Sequence, residues 1–67
     1  MTTPPRIIPE GPDADARRTL VRQLQAAIAA LCSAETPLHA SGWERVLDNL
    51  SAGTRLARHE TVKARAR

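Results

Sequence analysis

The segment His59, Glu60 and Lys63 comes nearest in this chain to a metal-binding motif. Zinc proteases place two histidines four residues apart on one helix face, with the catalytic glutamate directly after the first. Lys63 occupies the position of the second histidine, and its ammonium group repels a cation. Because His39 lies far away in a loop, the sequence predicts no metal site.

Cys32 is the only cysteine and the one side chain that could act as a thiol nucleophile. It falls beside Leu31 and Ile28 at the edge of an apolar helix face, where a thiol usually behaves as a small hydrophobic group. No serine is flanked by glycines, and the scattered glycines form no phosphate-binding loop. We therefore expect a protein that is not an enzyme and that holds no cofactor.

Basic side chains are concentrated at the C-terminal end. The net charge is +3, with ten Lys and Arg residues against seven Asp and Glu. A basic segment of this kind can neutralise the phosphates of a nucleic acid, or its cations can remain solvated and complement the helix dipole. No aromatic residue lies among them, so stacking on bases is not predicted. The candidate phosphate-binding residues are Arg55, Arg58, Lys63, Arg65 and Arg67.

Three apolar residues are candidates for binding a partner protein. Trp43 is the only aromatic residue. We expect it to pack against the first helix near Leu31 or Leu38, although an exposed Trp43 would be a candidate binding hot spot. Ile7 and Ile8 lie in a proline-rich segment and could enter a groove on a partner; the alternative is that they are simply exposed.

The proline-rich segment comprises residues 1–12, with four prolines and a glycine. Proline removes backbone donors and blocks helix formation, so we expect a flexible arm there. Residues 13–67 are expected to form a single helical domain with a basic C-terminal end.

Two amphipathic helices are predicted within this domain. The first spans about 13–35: Asp13 complements the helix dipole and can pair with Arg17, and Pro37 disfavours continuation. The second spans about 41–62 and starts at a capping box formed by Ser41 and Glu44, with an earlier start at residues 36–37 as the alternative. Gly53 is expected to kink the helix, end it or let another helix approach closely.

A short loop between two such helices predicts an all-α antiparallel hairpin. The chain has no Phe or Tyr and cannot form an internal disulfide, so one hairpin has little to bury its apolar stripes against. We expect two hairpins to form a homodimeric four-helix bundle. The predicted dimer or core residues are Leu20, Val21, Leu24, Ile28, Leu31, Val46, Leu47 and Leu50.

The helix-loop-helix plan resembles small plasmid-encoded hairpin dimers of the repressor-of-primer type, which bind RNA. The resemblance covers the plan alone and implies no functional residue. Small helical proteins without catalytic residues also resemble phage and plasmid inhibitors of host proteins. We expect a cytoplasmic, non-catalytic regulatory or adaptor protein that binds an unidentified protein through a helical surface. The alternative is a nucleic-acid-binding helical dimer, and no stretch is long enough to suggest a membrane span.

Overall fold

The computed structural model describes residues 8–67, which form two helices and no strand. Helix α1 spans Ala14–Leu31 and helix α2 spans Ala40–Ala66. The helices pack against each other as a hairpin, which confirms the predicted all-α helical hairpin. Residues 1–7, including Ile7, lie outside the described residues, and Ile8 is half-buried.

The C-terminal ends of both helices differ from the predicted ones. Helix α1 ends four residues early, because the chain turns after Leu31 and the Ser33 hydroxyl accepts the N–H of Glu35 at 3.3 Å. Helix α2 continues four residues further than predicted, to Ala66, with basic residues in its last turn that complement the helix dipole. The predicted Asp13–Arg17 pair is confirmed, at 3.0 Å.

The predicted capping box at Ser41 was wrong. The N-cap of α2 is His39, whose carbonyl accepts the N–H groups of Gly42 and Trp43, and no side chain caps this end. Leu38 lies over Gly42, with its Cγ 2.7 Å from the point that a Cβ on Gly42 would occupy. Helix α2 begins at Ala40, one residue before Ser41.

The contact between the two helices is built on small residues. Ala27 and Val46 are buried, and Gly53 is buried against Leu20, whose Cδ1 lies 2.9 Å from the point that a Cβ on Gly53 would occupy. We call this contact, formed by Leu20, Gln23, Ala27, Val46 and Gly53, the seam. Of the three roles expected for Gly53, the structure shows close approach: α2 runs through this position without ending.

The hairpin is a single layer of helices, with principal dimensions of 45 × 28 × 11 Å. Within residues 8–67 no large side chain is fully buried, and the buried apolar residues are Ala14, Ala27 and Val46. Neither helix contains a stretch that is both long and apolar enough to cross a lipid bilayer, in the part of the chain described. Most of the large apolar side chains therefore lie outside the seam.

The close approach at Gly53 makes a prediction about Gly53→Ala. Alanine in a helix interior is favoured over glycine by about 1 kcal/mol, whereas its Cβ must displace the terminal Cδ1 of Leu20, a change of side-chain rotamer that costs about 1 kcal/mol. In the wild-type background we expect no stabilisation. In a Leu20→Ala background, which removes the overlap, Gly53→Ala should stabilise by about 1 kcal/mol.

Urea unfolding at one fixed protein concentration measures these free energies. The control is Ala52→Gly, one residue away on the polar side of α2, which should cost about 1 kcal/mol in both backgrounds. Equal stabilisation by Gly53→Ala in the two backgrounds would show that Leu20 does not press on Gly53.

Candidate interaction surface

Seven large apolar side chains lie on one broad side of the hairpin, outside the seam. On each helix they are displaced in the same rotational sense from the seam residues, by roughly 45–125° around the axis. The helices are antiparallel, so displacement in the same sense leads to the same side of the layer. We call this surface the apolar face; it consists of Val21, Leu24, Ile28 and Leu31 on α1, and Trp43, Leu47 and Leu50 on α2.

The structure divides the predicted dimer or core residues into two groups. Leu20 and Val46 belong to the seam. The other six, Val21, Leu24, Ile28, Leu31, Leu47 and Leu50, lie on the apolar face and are exposed. The residues of one apolar stripe in the sequence are therefore divided between the seam and the exposed apolar face.

The expectation that Trp43 packs into the hairpin core was wrong for the single chain. Trp43 is 56% exposed and lies next to Leu47 and Leu50 on the apolar face. Helix α2 presents the smaller side chains of Gly42 and Val46 to α1, so the indole ring points to the side of the layer. A partner surface that covers Leu47 and Leu50 would also cover Trp43.

Cys32 also differs from the expectation that it is a buried hydrophobic group. It is the C-cap residue of α1 and is exposed, because the helix ends before the stripe does. His59 and Lys63 lie on α2, where Lys63 Nζ donates to Glu60 Oε2 at 3.1 Å. Among residues 8–67, no three His, Cys, Asp or Glu side chains are grouped closely enough to hold a metal ion.

The five predicted phosphate-binding residues are all exposed on the second half of α2 or directly after it. Lys63 pairs with Glu60, whereas the other four form no ion pair within the described part of the chain. Helical spacing places three of them on the side of α2 that points away from α1, on either side of the exposed Val62. These three are Arg55, Arg58 and Arg65.

Acidic side chains occupy the other end of the hairpin. Glu44 and Asp48 lie on the first half of α2, again on its outer side, and neither is in an ion pair among residues 8–67. The acids near the start of α1 are already neutralised: Asp13 pairs with Arg17, and Arg18 pairs with neighbouring carboxylates. Near the loop the unpaired charges of α2 are of both signs, because Arg45 also forms no ion pair among residues 8–67; towards the C-terminus they are positive.

A depression of about 310 Å³ lies between the helices at the end of the hairpin formed by the start of α1 and the end of α2. Its lining combines two leucines, small residues and charged residues, namely Leu20, Leu56, Ala16, Ala57, Ala64, Thr61, Asp13, Arg17 and Glu60. We call it the open-end depression. Sequence reasoning missed it, although the spacing of Ala57, Thr61 and Ala64 on one helix face was the signal that could have indicated it.

Comparisons with protein-family models, with curated proteins and with solved structures find no match for this chain. The function must therefore be argued from the residues of the surface itself. The features that need an explanation are the exposed apolar face and the unpaired arginines in the second half of α2.

Exposure of Trp43 makes a direct spectroscopic prediction. At dilutions at which the chain sediments as a monomer, acrylamide should quench Trp43 fluorescence at a rate comparable to that of the urea-unfolded chain, because 56% of the residue is in contact with solvent. Helix content measured by circular dichroism on the same samples is the control that the hairpin is folded. A folded monomer with a strongly protected indole would contradict the structure at this position.

Proposed function

We propose that this protein is a small non-catalytic regulatory or adaptor protein that acts by protein–protein contact as a homodimer. In the dimer the apolar faces of two hairpins cover each other and the four helices form a bundle. The apolar face carries the proposal: seven large apolar side chains lie on one side of a layer one helix thick. Stable domains are built from at least two packed layers, and a second hairpin supplies the second one.

The size of the apolar face supports this proposal. Ile28, Leu31, Trp43 and Leu47 are each more than half exposed, and the other three residues are between 37% and 45% exposed. Together they expose several hundred Å² of apolar surface, which is comparable to the roughly 800 Å² per partner of a standard protein interface. A patch of this size on a small soluble chain marks an interaction site.

Two other parts of the chain are the candidates for contact with a target protein. The proline-rich arm, residues 1–12, contains Ile7 and Ile8 and has few groups that could hold it in a regular structure. We propose that it remains flexible until it meets its target. The second half of α2 adds exposed positive charge at the same end of the hairpin. We propose that the protein acts by binding its target through these segments and that it catalyses no reaction.

Ile28→Lys tests the proposed homodimer. Ile28 is 58% exposed, so the change should leave the single hairpin folded while placing a charge in the dimer interface. Because the two-fold axis brings two copies of the substitution into one dimer, the dissociation constant should rise by on the order of 100-fold or more. Sedimentation equilibrium over a range of concentrations measures it.

The matched control is Ala29→Lys, the neighbouring residue, which is exposed on the opposite, polar side of α1. It introduces the same charge and should leave the dissociation constant unchanged within about threefold. A wild-type chain that stays monomeric at high micromolar concentration, or equal effects of the two substitutions, would contradict the homodimer.

A second candidate function is nucleic-acid binding by the helical dimer. The observation in its favour is that Arg55, Arg58, Arg65 and Arg67 are exposed and have no acidic partner among residues 8–67. Arginines without intramolecular partners are available for phosphate oxygens. Such binding would be strongly dependent on salt and weakly dependent on sequence.

Replacement of these four arginines by glutamine tests the second function and leaves α2 intact, whereas truncation after Thr54 would remove half of the helix. If the arginines contact phosphates, the wild type should bind double-stranded DNA or RNA at low salt. The variant should lose most of that affinity, with the slope of log K against log salt reduced by roughly 3–4 units per hairpin. Fluorescence anisotropy measures both quantities.

The control for this experiment is Arg17→Gln with Arg18→Gln, which removes two arginines that are already paired with acids. It should keep most of the affinity. Absence of wild-type binding at low salt, or unchanged binding by the four-arginine variant, would reject nucleic acid as the partner of this segment.

A further inference from the structure

The apolar face lies entirely in the half of the hairpin that contains the loop. The contact between Leu20 and Gly53 places these two residues at the same level, and the helices run in opposite directions from it. Trp43, ten residues before Gly53, is therefore level with Ala30, ten residues after Leu20. In this way all seven side chains of the apolar face fall level with residues 21–31 of α1.

The same side of the other half of the hairpin is polar. Asp13 pairs with Arg17 there at 3.0 Å. The hydroxyls of Thr54 and Thr61 donate to carbonyl groups of their own helix. A second copy therefore covers apolar surface with apolar surface only when loop half lies on loop half.

Two orientations of the second copy meet this condition. In one, the two-fold axis runs parallel to the helices and both hairpins point in the same direction. In the other, the axis crosses the helices at the level of Leu47, the middle of the apolar face, and the hairpins point in opposite directions. This reversed orientation leaves the part of α2 after Thr54 with no helix opposite it, whereas the same-direction orientation covers both helices along their whole length.

We propose that the two hairpins of the homodimer point in the same direction, with α1 of each copy packed on α2 of the other. This inference rests on the proposed homodimer and adds its direction and its contacts. Neighbouring helices are antiparallel throughout such a bundle, as in up-down-up-down bundles. The interface is self-complementary, as a two-fold axis requires.

The unequal bulk of the two helices favours this direction. Helix α2 carries Trp43 on the apolar face, whereas α1 carries only aliphatic side chains there. The spacing of packed helices depends on the side chains between them. When α1 packs on α2 of the other copy, the two stacks of the bundle are identical by symmetry and have one spacing. The reversed orientation packs α2 on α2, with both indole rings in one stack and none in the other, so the two layers cannot pack closely along both stacks.

The same direction gives the large side chains apolar neighbours in the other copy. An axis parallel to the helices keeps each residue at its own level. Trp43 of one copy therefore lies over the space between Ile28 and Leu31 of the other. Leu50, three residues before Gly53, lies over Leu24 in the same way. These contacts cover the most exposed part of the apolar face.

Two features of the open half are compatible with this direction. The two α2 helices lie diagonally across the bundle, with their axes roughly 11–14 Å apart, and Arg55 and Arg58 point away from the seam. This distance exceeds the Debye length of about 8 Å at physiological ionic strength, so repulsion between the arginines is largely screened. The two open-end depressions face each other and can hold water, because Asp13, Arg17 and Glu60 line them.

Mixing two interface variants tests the direction. In the same-direction dimer Ile28 of one copy lies beside Leu47 of the other. Ile28→Lys and Leu47→Glu each place a charge against apolar surface, and each should raise the dissociation constant on the order of 100-fold. In an equimolar mixture the new lysine faces the new glutamate at one contact, and the other contact is unchanged. The mixture should therefore associate at least about tenfold more tightly than either variant alone.

The matched control is a mixture of Ile28→Lys with Leu24→Glu. In the reversed dimer Leu24 of one copy lies beside Ile28 of the other, so this mixture, and not the first, would regain association. Sedimentation equilibrium measures the dissociation constants, and circular dichroism checks that each variant keeps the helix content of the wild type.

A distance between spin labels measures the direction independently. In the full chain with Cys32→Ser and Ala66→Cys, the label lies at the last residue of α2, 19 residues from Leu47. The reversed dimer predicts roughly 55 Å between the two labels, and the same-direction dimer predicts less than about 30 Å. Double electron–electron resonance distinguishes these values.

The possible results separate the inference from the homodimer that it requires. A short label distance together with association of the Ile28→Lys and Leu47→Glu mixture supports the same-direction dimer. A distance near 55 Å, association of the Leu24→Glu mixture instead, or association of neither mixture overturns the direction and leaves the homodimer standing. A wild-type chain that is monomeric at every concentration overturns both.

Discussion

The close contact between Leu20 and Gly53 is the constraint on which the rest of this structure depends. A helix pair that meets through a glycine, an alanine and a valine brings its backbones close together, and it leaves no room for larger side chains between them. The larger residues, which could not fit into this seam, lie roughly 45–125° around each helix axis from it and collect on one side. The exposed apolar face is thus a direct result of how closely the helices approach each other.

A single layer of this kind is an incomplete core. Its buried residues are small, so they contribute little hydrophobic free energy, while the residues that could contribute most remain in water. The seam defines the shape of the single hairpin, and the exposed apolar face is the surface through which we propose that it associates.

Much of the fold could be predicted from the sequence, and the reason lies in periodicity. The spacing of Leu20, Leu24 and Leu31, together with the turn residues before Trp43, indicates two helices and a hairpin without further information. The predicted helix ends were less accurate, because Ser33 and Leu38 form contacts near those ends that the hydrophobic pattern of the sequence does not show. Gly53 was open to three interpretations because only the position of the other helix decides among them.

The division between seam and apolar face could not be predicted. The stripe from Leu20 to Cys32 is wider than one helix contact, so it is compatible with several rotations of α1 about its axis. The packing of Leu20 on Gly53 selects one rotation and thereby moves Trp43 from the expected core to the surface. The depression is harder still to anticipate, because it is defined by side chains that are small on two helices at once.

The antiparallel course of the two helices brings the start of α1 and the end of α2 to the same end of the hairpin. The exposed arginines in the second half of α2 therefore lie beside the residues that lead into α1. In the proposed homodimer these features would occur twice, so the particle would be bivalent. A target that offers two copies of its site at a matching spacing would then be held with a much higher effective concentration than a target with one.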